Sequence, residues 1–204
     1  FLVTGQQTGG VRVWEAGRGT GPLAVRSPGG TPHLAQFRAG KGLTILSGHE
    51  QLRLWDVDTL QEVVAFPPSG ELVFGVALSP DGRLVAAARG NAQKLDQPGT
   101  IQLLDSTTGH PVRTLKGHEG AVRSVTFSPD GSRVVYRADQ DVDAVYELYS
   151  APSDGASPAA KLRPALRGSQ GGAVDGFRLP PASRHLVVAR APDGARRRQE
   201  ARLE

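Results

Sequence analysis

Cysteine and methionine are both absent from the 204 residues of this chain. The absence of cysteine excludes disulfides, thiol catalysis and thiolate-ligated metals, and it leaves the redox compartment open. Methionine is missing even at position 1, and residues 1–4 read as the middle of a strand. We therefore expect the chain to be a piece of a longer one, or to have lost a leader. No window approaches the roughly 18 apolar residues that span a bilayer, so we expect no membrane insertion.

Aromatic side chains make up only 5% of the chain, and no stretch shows a convincing helical period. Glycine (26 residues) and proline (15 residues) are instead abundant, which suits a fold with many tight turns. Short runs with a period of two, such as residues 52–55 and 101–104, alternate with these turns. The sequence predicts an all-β protein.

The chain carries a net charge of +4, and 20 of its 24 basic residues are arginine. A basic balance can indicate a nucleic-acid or membrane partner. Coding bias toward arginine, as in a GC-rich bacterial genome, is the simpler interpretation. Few aromatics are available for stacking on bases, so nucleic-acid binding ranks last among the functions considered.

The most informative feature is a repeated turn. Ser-Pro-Asp-Gly occurs at residues 79–82 and again at residues 128–131, each time between two β-rich runs. Four units can be aligned on two independent landmarks, one in the first strand and one in the third. The first-strand landmarks are Phe37, Leu78, Phe127 and Leu179, and the third-strand landmarks are Trp14, Trp55, Leu104 and Tyr149.

Four short strands in a unit of 40 to 50 residues describe a blade of a β-propeller. We predict about four four-stranded antiparallel blades, incomplete at both ends, in an open arc rather than a closed ring. The whole chain then forms one partial propeller with approximate units 1–30, 31–70, 71–117, 118–168 and 169–204.

Residues 52–56, Leu-Arg-Leu-Trp-Asp, resemble the Trp-Asp ending of WD-repeat β-propellers. Gly117-His118 is similar to the Gly-His element that opens their repeats, and the Ser-Pro-Asp-Gly turns are similar to those joining their inner strands. Farther along, Glu147-Leu148-Tyr149 before the turn at residues 152–155 resembles the TolB-like propellers of bacteria.

The WD resemblance implies a hydrogen-bond network inside a blade. Its candidate members here are His118 with Asp139 or Asp141 in one unit, and Trp55 with Asp56 in another. No single unit holds the full set, so we expect blade stability to rest on apolar packing.

The candidate motifs for catalysis and for metal binding in this sequence are incomplete. Ser169 lies in a string that begins with Arg167 where a nucleophile elbow needs glycine. Asp139, Asp141 and Asp143 alternate, but they lack the glycine and the later glutamate of a calcium loop, and we interpret them as a solvated turn. We predict a non-enzyme with no catalytic residue, no cofactor and no metal.

The expected function is a non-catalytic scaffold that binds other proteins or peptides, in addition to the rest of its own propeller. Propeller loops present side chains from several blades on one surface. Candidate contacts in the loops that enter the first strands are Glu71, Lys116, Glu119, Arg167 and Gln170.

Two alternatives stay open. The chain could be the accessory propeller of a larger enzyme, either a serine peptidase or a signalling kinase, or it could be a periplasmic TolB-like envelope protein. The compartment is not fixed by the sequence, with the cytoplasm slightly favoured over the periplasm.

Overall fold

The computed structural model describes eighteen strands, and it describes side chains for residues 51–56, 59, 61–91, 97–118, 120–138 and 147–162. The strands of the first two sheets are β1 (Leu2–Gly5), β2 (Gly10–Trp14), β3 (Leu23–Arg26), β4 (Pro32–Arg38), β5 (Gly42–Ser47), β6 (Arg53–Asp56) and β7 (Gln61–Ala65). Those of the third and fourth sheets are β8 (Leu72–Leu78), β9 (Leu84–Gly90), β10 (Thr100–Asp105), β11 (Pro111–Leu115), β12 (Val122–Phe127), β13 (Arg133–Asp139), β14 (Tyr146–Pro152) and β15 (Ala160–Lys161). The fifth sheet consists of β16 (Val174–Arg178), β17 (His185–Arg190) and β18 (Arg197–Arg202).

Each sheet is an antiparallel meander whose strands pair in chain order. The second, third and fourth sheets have four strands each, and the first and fifth have three. Within the described parts of the chain there is no helix, and the predicted all-β class is confirmed. Accordingly, none of the described residues belongs to a helix that could cross a membrane.

Successive sheets contact one another through their inner strands, β4 with β8 and β8 with β12. This is the arrangement of blades in an open, partial β-propeller, as predicted. Phe37, Leu78 and Phe127 lie in the first strands of the three complete sheets. The third-strand landmarks lie in β2, β6, β10 and β14, and Leu179 lies outside the described residues.

The outer strand of the fourth sheet is described only in its first part. The sequence pattern predicts a strand at residues 159–166, whereas β15 covers Ala160–Lys161. One further bond, from the Leu162 N–H to the Leu148 carbonyl at 2.8 Å, extends the pairing. Residues 163–166 lie outside the described part of the chain.

Among the described residues the core forms two layers, one on each side of the third sheet. In β9, Ala86 and Ala88 face the fourth sheet, whereas Val85 and Ala87 face the second. Alternate residues of a strand point to opposite faces, so a sheet covered on both sides needs a continuous apolar run. The run at residues 84–88 meets this requirement. The prediction that apolar packing supports the blades agrees with these two layers.

Two glycines permit the third and fourth sheets to approach closely. A Cβ atom on Gly75 would lie 3.0 Å from the Ser124 Cα, and one on Gly99 would lie 2.7 Å from the Val122 N. Backbone atoms cannot yield as a flexible side chain can. Any larger residue at these positions would therefore push the two sheets apart.

The repeated turn is built the same way twice. The Ser128 hydroxyl donates to Asp130 at 2.6 Å and accepts from the Arg133 N–H at 3.0 Å. In the preceding repeat, Ser79 makes the same pair of bonds to Asp81 at 2.6 Å and Leu84 at 2.8 Å. The serine thus links the end of the first strand to the start of the second.

A second serine joins each of these turns to the next turn of its sheet. The Ser106 hydroxyl donates to the Gly82 carbonyl at 2.6 Å, and the Ser153 hydroxyl donates to the Gly131 carbonyl at 2.9 Å. The backbone N–H groups of both serines also donate to the same turns. The lower ends of the two sheets are therefore fixed by hydrogen bonds as well as by the apolar residues beside the turns.

Candidate protein-binding face

The meander places two kinds of loop at one end of every sheet. Because neighbouring strands run in opposite directions, the loops entering the first strand and those joining the second to the third lie together. We call this end the upper face, and the end with the Ser-Pro-Asp-Gly turns the lower face. The described loop residues of the upper face are 51–52, 66–71, 91, 97–99, 116–118 and 120–121.

A polar cluster lies beneath the upper face of the third sheet. Arg89, at the end of β9, is only 1% exposed, and its Nη1 donates to the Ser69 hydroxyl. Thr100 donates from its hydroxyl to the Glu71 carboxylate at 3.0 Å. Burial lowers the pKa of the Arg89 guanidinium, and the nearby Glu71 carboxylate opposes that shift. The cluster fixes the loop entering β8 from below.

Two donors of Arg89 in this cluster are unpaired within the described part of the chain. Among the described residues, the Nε and Nη2 groups of Arg89 have no hydrogen-bond partner. A buried cation without full pairing is costly to a fold. Apolar packing of the core therefore gives no reason for an arginine at position 89.

The loops of adjacent sheets are also bonded to each other. The Gly99 N–H, before β10 of the third sheet, donates to the Gly120 carbonyl, before β12 of the fourth, at 2.9 Å. On the same face, the Asn91 amide donates to the Gln97 side chain at 3.3 Å. The upper face of the two sheets is thus one connected surface, and a partner would meet loops from both.

His118 lies at the top of an aromatic stack. Its ring is 3% exposed and meets Tyr136 edge to face, with centroids 4.6 Å apart. Tyr136 in turn stacks on Tyr149 at 5.6 Å. Burial raises the pKa of the Tyr136 phenol, so this group stays protonated at ordinary pH.

The structure places the predicted partner contacts unequally. Lys116 is exposed on the upper face, whereas Glu71 is half-buried and bonded to Thr100. Glu119, Arg167 and Gln170 lie outside the described residues.

The predicted network residues are not brought together in one place. Trp55 is buried in the second sheet, and the Asp56 carboxylate accepts hydrogen bonds from the Thr59 N–H and hydroxyl at 2.8 and 2.9 Å. His118 belongs to the loop before the fourth sheet. Asp139 ends β13, where its side chain is not described, and Asp141 lies outside the described residues. The network therefore remains a prediction.

The described side chains of the upper face are mainly hydrogen-bonding groups. In the described ranges no three His, Asp or Glu side chains come close enough to hold a metal ion. What converges on the upper face is a set of hydrogen-bond donors and acceptors on loops held by a rigid sheet, which is the usual basis of recognition surfaces.

Arg89 is not among the residues that the sequence singled out, although a signal was present. Arg89 continues the series Val85 and Ala87, in which every second residue of β9 lies on the same side of the sheet. That side of β9 faces the second sheet. The alternation of residues along this strand therefore predicts a buried position for Arg89. A charged residue there calls for a polar partner, which the proline-rich loop ending at Ser69 supplies.

Residues 109–142 match the family profile described as "WD domain, G-beta repeat". The matched segment contains β11 of the third sheet and β12 and β13 of the fourth, so the sequence repeat is offset from the structural blade. It also contains Gly117-His118 and the second Ser-Pro-Asp-Gly turn, two of the motifs that carried the resemblance.

The chain is also similar to several curated proteins. It is 24% identical over 111 residues to Meiotic recombination protein rec14 of Schizosaccharomyces pombe, covering 54% of this chain and 34% of the relative. It is 31% identical over 90 residues to WD repeat-containing protein 90 of Xenopus tropicalis, covering 44% of this chain and 4% of the relative. It is 35% identical over 63 residues to Uncharacterized WD repeat-containing protein sll1491 of Synechocystis, covering 31% and 16%.

These relatives are much longer than the matched regions. The chain spans about a third or less of the length of each of these three relatives. One repeat of the chain and two of these relatives thus show a similarity to WD-repeat proteins.

Proposed function

We propose that the chain is part of a WD-repeat β-propeller that acts as a protein-interaction scaffold, and that the upper face of its third and fourth sheets contacts the partner. The observation that carries the proposal is the hydrogen bond from Gly99 to Gly120, which joins loops of two sheets into one surface. Repeat folds commonly bind through such surfaces shared between units.

The composition of this face supports a protein partner. Lys116, Gln97 and Ser69 are exposed there, and the half-buried Glu71 lies among them. Mixed charge with hydrogen-bonding groups is typical of the polar part of a protein interface. The finer parts of the proposal are the unit boundaries given above, the contacts Glu119, Arg167 and Gln170, and a bacterial, TolB-like character toward the C-terminus.

The test uses the parent protein isolated with its bound partner. Lys116→Glu and Gln97→Lys both change the charge of the upper face at exposed positions. We expect each to weaken the complex about tenfold, as charge changes at a tight contact do. Arg83→Glu is the control, because Arg83 is exposed on the lower face of the same sheet.

An unchanged complex with both upper-face variants, or equal weakening by Arg83→Glu, would overturn the assignment of the face. The parent sequence separates the alternatives. A peptidase or kinase domain beside the propeller would make the chain an enzyme's accessory module, and a secretion signal would favour the periplasmic alternative.

A further inference from the structure

An open groove of about 440 Å³ runs along the outer side of the molecule, between the third and fourth sheets. One wall is the outer strand β11, and the other is the segment 155–159 that precedes β15. This groove differs from the upper face, because it follows the length of the strands from the lower turns upward to Lys116.

The groove opens on the edge of a strand rather than on a sheet face. Four consecutive residues of the chain line it, Arg113, Thr114, Leu115 and Lys116. Alternate residues of a strand point to opposite faces, so the three strand residues Arg113, Thr114 and Leu115 border one groove together where the strand's edge is exposed to it. β11 is the last strand of its sheet. Its outer backbone groups are therefore available to an incoming strand.

The floor of the groove holds a buried polar group that is unpaired within the described part of the chain. Tyr136 is fully buried, and its hydroxyl has no hydrogen-bond partner among the described residues. The preceding repeat has Ala87 at the corresponding position, so the fold does not require a tyrosine there. A buried hydroxyl costs stability when it is unsatisfied, and a ligand that accepts its hydrogen bond would remove that cost.

The rim of the groove is cationic. Arg113 and Lys116 are exposed and form no ion pair with the described residues. Arg113 lies against Gly155, where a Cβ atom would come within 2.8 Å of its Nη1. The neighbouring carboxylate of Asp154 accepts the Ala156 N–H at 2.9 Å.

We propose that this groove binds an extended acidic peptide segment, which adds as a strand to the edge of β11. A carboxylate of the segment pairs with Arg113 and Lys116, and an oxygen of the segment accepts the hydrogen bond of the Tyr136 hydroxyl. Main-chain pairing to an exposed edge supplies affinity, and side-chain pockets supply selectivity. The proposal rests on the scaffold function, to which it adds a second site and the chemistry of its ligand.

The binding experiment uses the full chain and a blocked, fluorescein-labelled peptide of alternating valine and glutamate, titrated by fluorescence anisotropy. A peptide with glutamine for glutamate is the matched control. We expect the acidic peptide to bind at least about tenfold more tightly, as the loss of a charge-assisted pair predicts.

Two variants assign the contact. Arg113→Gln should weaken binding about tenfold, and Arg83→Gln, which removes an equal charge outside the groove, should leave it unchanged. Tyr136→Phe removes only the hydroxyl and should weaken binding about fivefold. Its melting temperature should stay equal or rise, because an unsatisfied buried group is removed.

Several results would overturn the proposal. Equal binding of both peptides would exclude the carboxylate, and competition by free glutarate as strong as by unlabelled peptide would exclude strand addition. A Tyr136→Phe variant with a lowered melting temperature would show that the hydroxyl serves the fold. Self-association of the chain that Arg113→Gln abolishes would assign the edge to a second copy.

The test of the groove can fail without the test of the upper face failing. Gln97→Lys lies outside the groove, so it should leave acidic-peptide binding intact. Failure of the groove with a partner still lost in Gln97→Lys would leave the scaffold function standing.

Discussion

Truncation of Phe127 gives the sharpest test of how the blades pack. Phe127 ends β12, is 5% exposed, and lies in the apolar layer between the third and fourth sheets. Its neighbours in that layer include Ala77 and Val134, on strands whose backbones are held by sheet pairing. The surroundings therefore cannot collapse into the space of a removed ring. Phe127→Ala should lower the free energy of unfolding by about 3–5 kcal/mol, from lost burial plus the cavity left behind.

The assay is urea denaturation of the full chain followed by far-ultraviolet circular dichroism. Val112→Ala is the control, because Val112 is a strand residue that is 57% exposed. It should change stability by less than about 0.5 kcal/mol. A loss below about 1 kcal/mol for Phe127→Ala, with the denaturant slope unchanged, would refute the packing between the third and fourth sheets.

Three further predictions concern polar groups. Arg89→Met removes a desolvated cation, so the free energy of unfolding measured in urea should stay unchanged or rise by about 1 kcal/mol. A decrease in this free energy of more than about 2 kcal/mol would contradict the prediction. The Ser128 hydroxyl, followed by the Ser132 N–H and hydroxyl, lowers the pKa of Asp130 from 3.8 to about 2. Because the pKa is lower in the folded state, the ionised Asp130 carboxylate stabilises the fold above pH 3.8. This stabilisation is lost as the pH falls through about 2. The advantage of the wild type over Asp130→Asn, about 1 kcal/mol after solvent screening, should therefore shrink between pH 4 and pH 2, and a constant difference would refute the shift. Ser153→Ala should lower the free energy of unfolding by about 1 kcal/mol, whereas Ser157→Ala, at an exposed position, should not. Equal effects of the two substitutions would exclude a stabilising hydrogen bond from Ser153 to the Gly131 carbonyl.

The repeat and the strand pattern made the fold predictable. The spacing of the two Ser-Pro-Asp-Gly turns placed Leu78 and Phe127 at equivalent points, and both end first strands. Turn chemistry is local, so it can be read from four residues. The serine bonds from Ser106 and Ser153 to the neighbouring turns were not predictable in the same way, because each joins segments more than 20 residues apart.

The candidate surfaces were predictable only in part. Loop position follows from the order of the strands, which is why Lys116 could be named as a candidate contact. The groove depends instead on the distance between two sheets and on the register that buries Tyr136. No local pattern encodes that distance, since it follows from close backbone contacts such as those of Gly75 and Gly99. The missing partner of the Tyr136 hydroxyl is visible only after the sheets are assembled.

The most direct test of the proposed scaffold is a hydrogen-exchange footprint of the parent protein with and without its purified partner. We predict added protection in the upper-face segments 66–71, 97–99 and 116–118, with no change in the lower turns at 79–82 and 128–131. Protection confined to the lower turns would contradict the proposed upper-face contact.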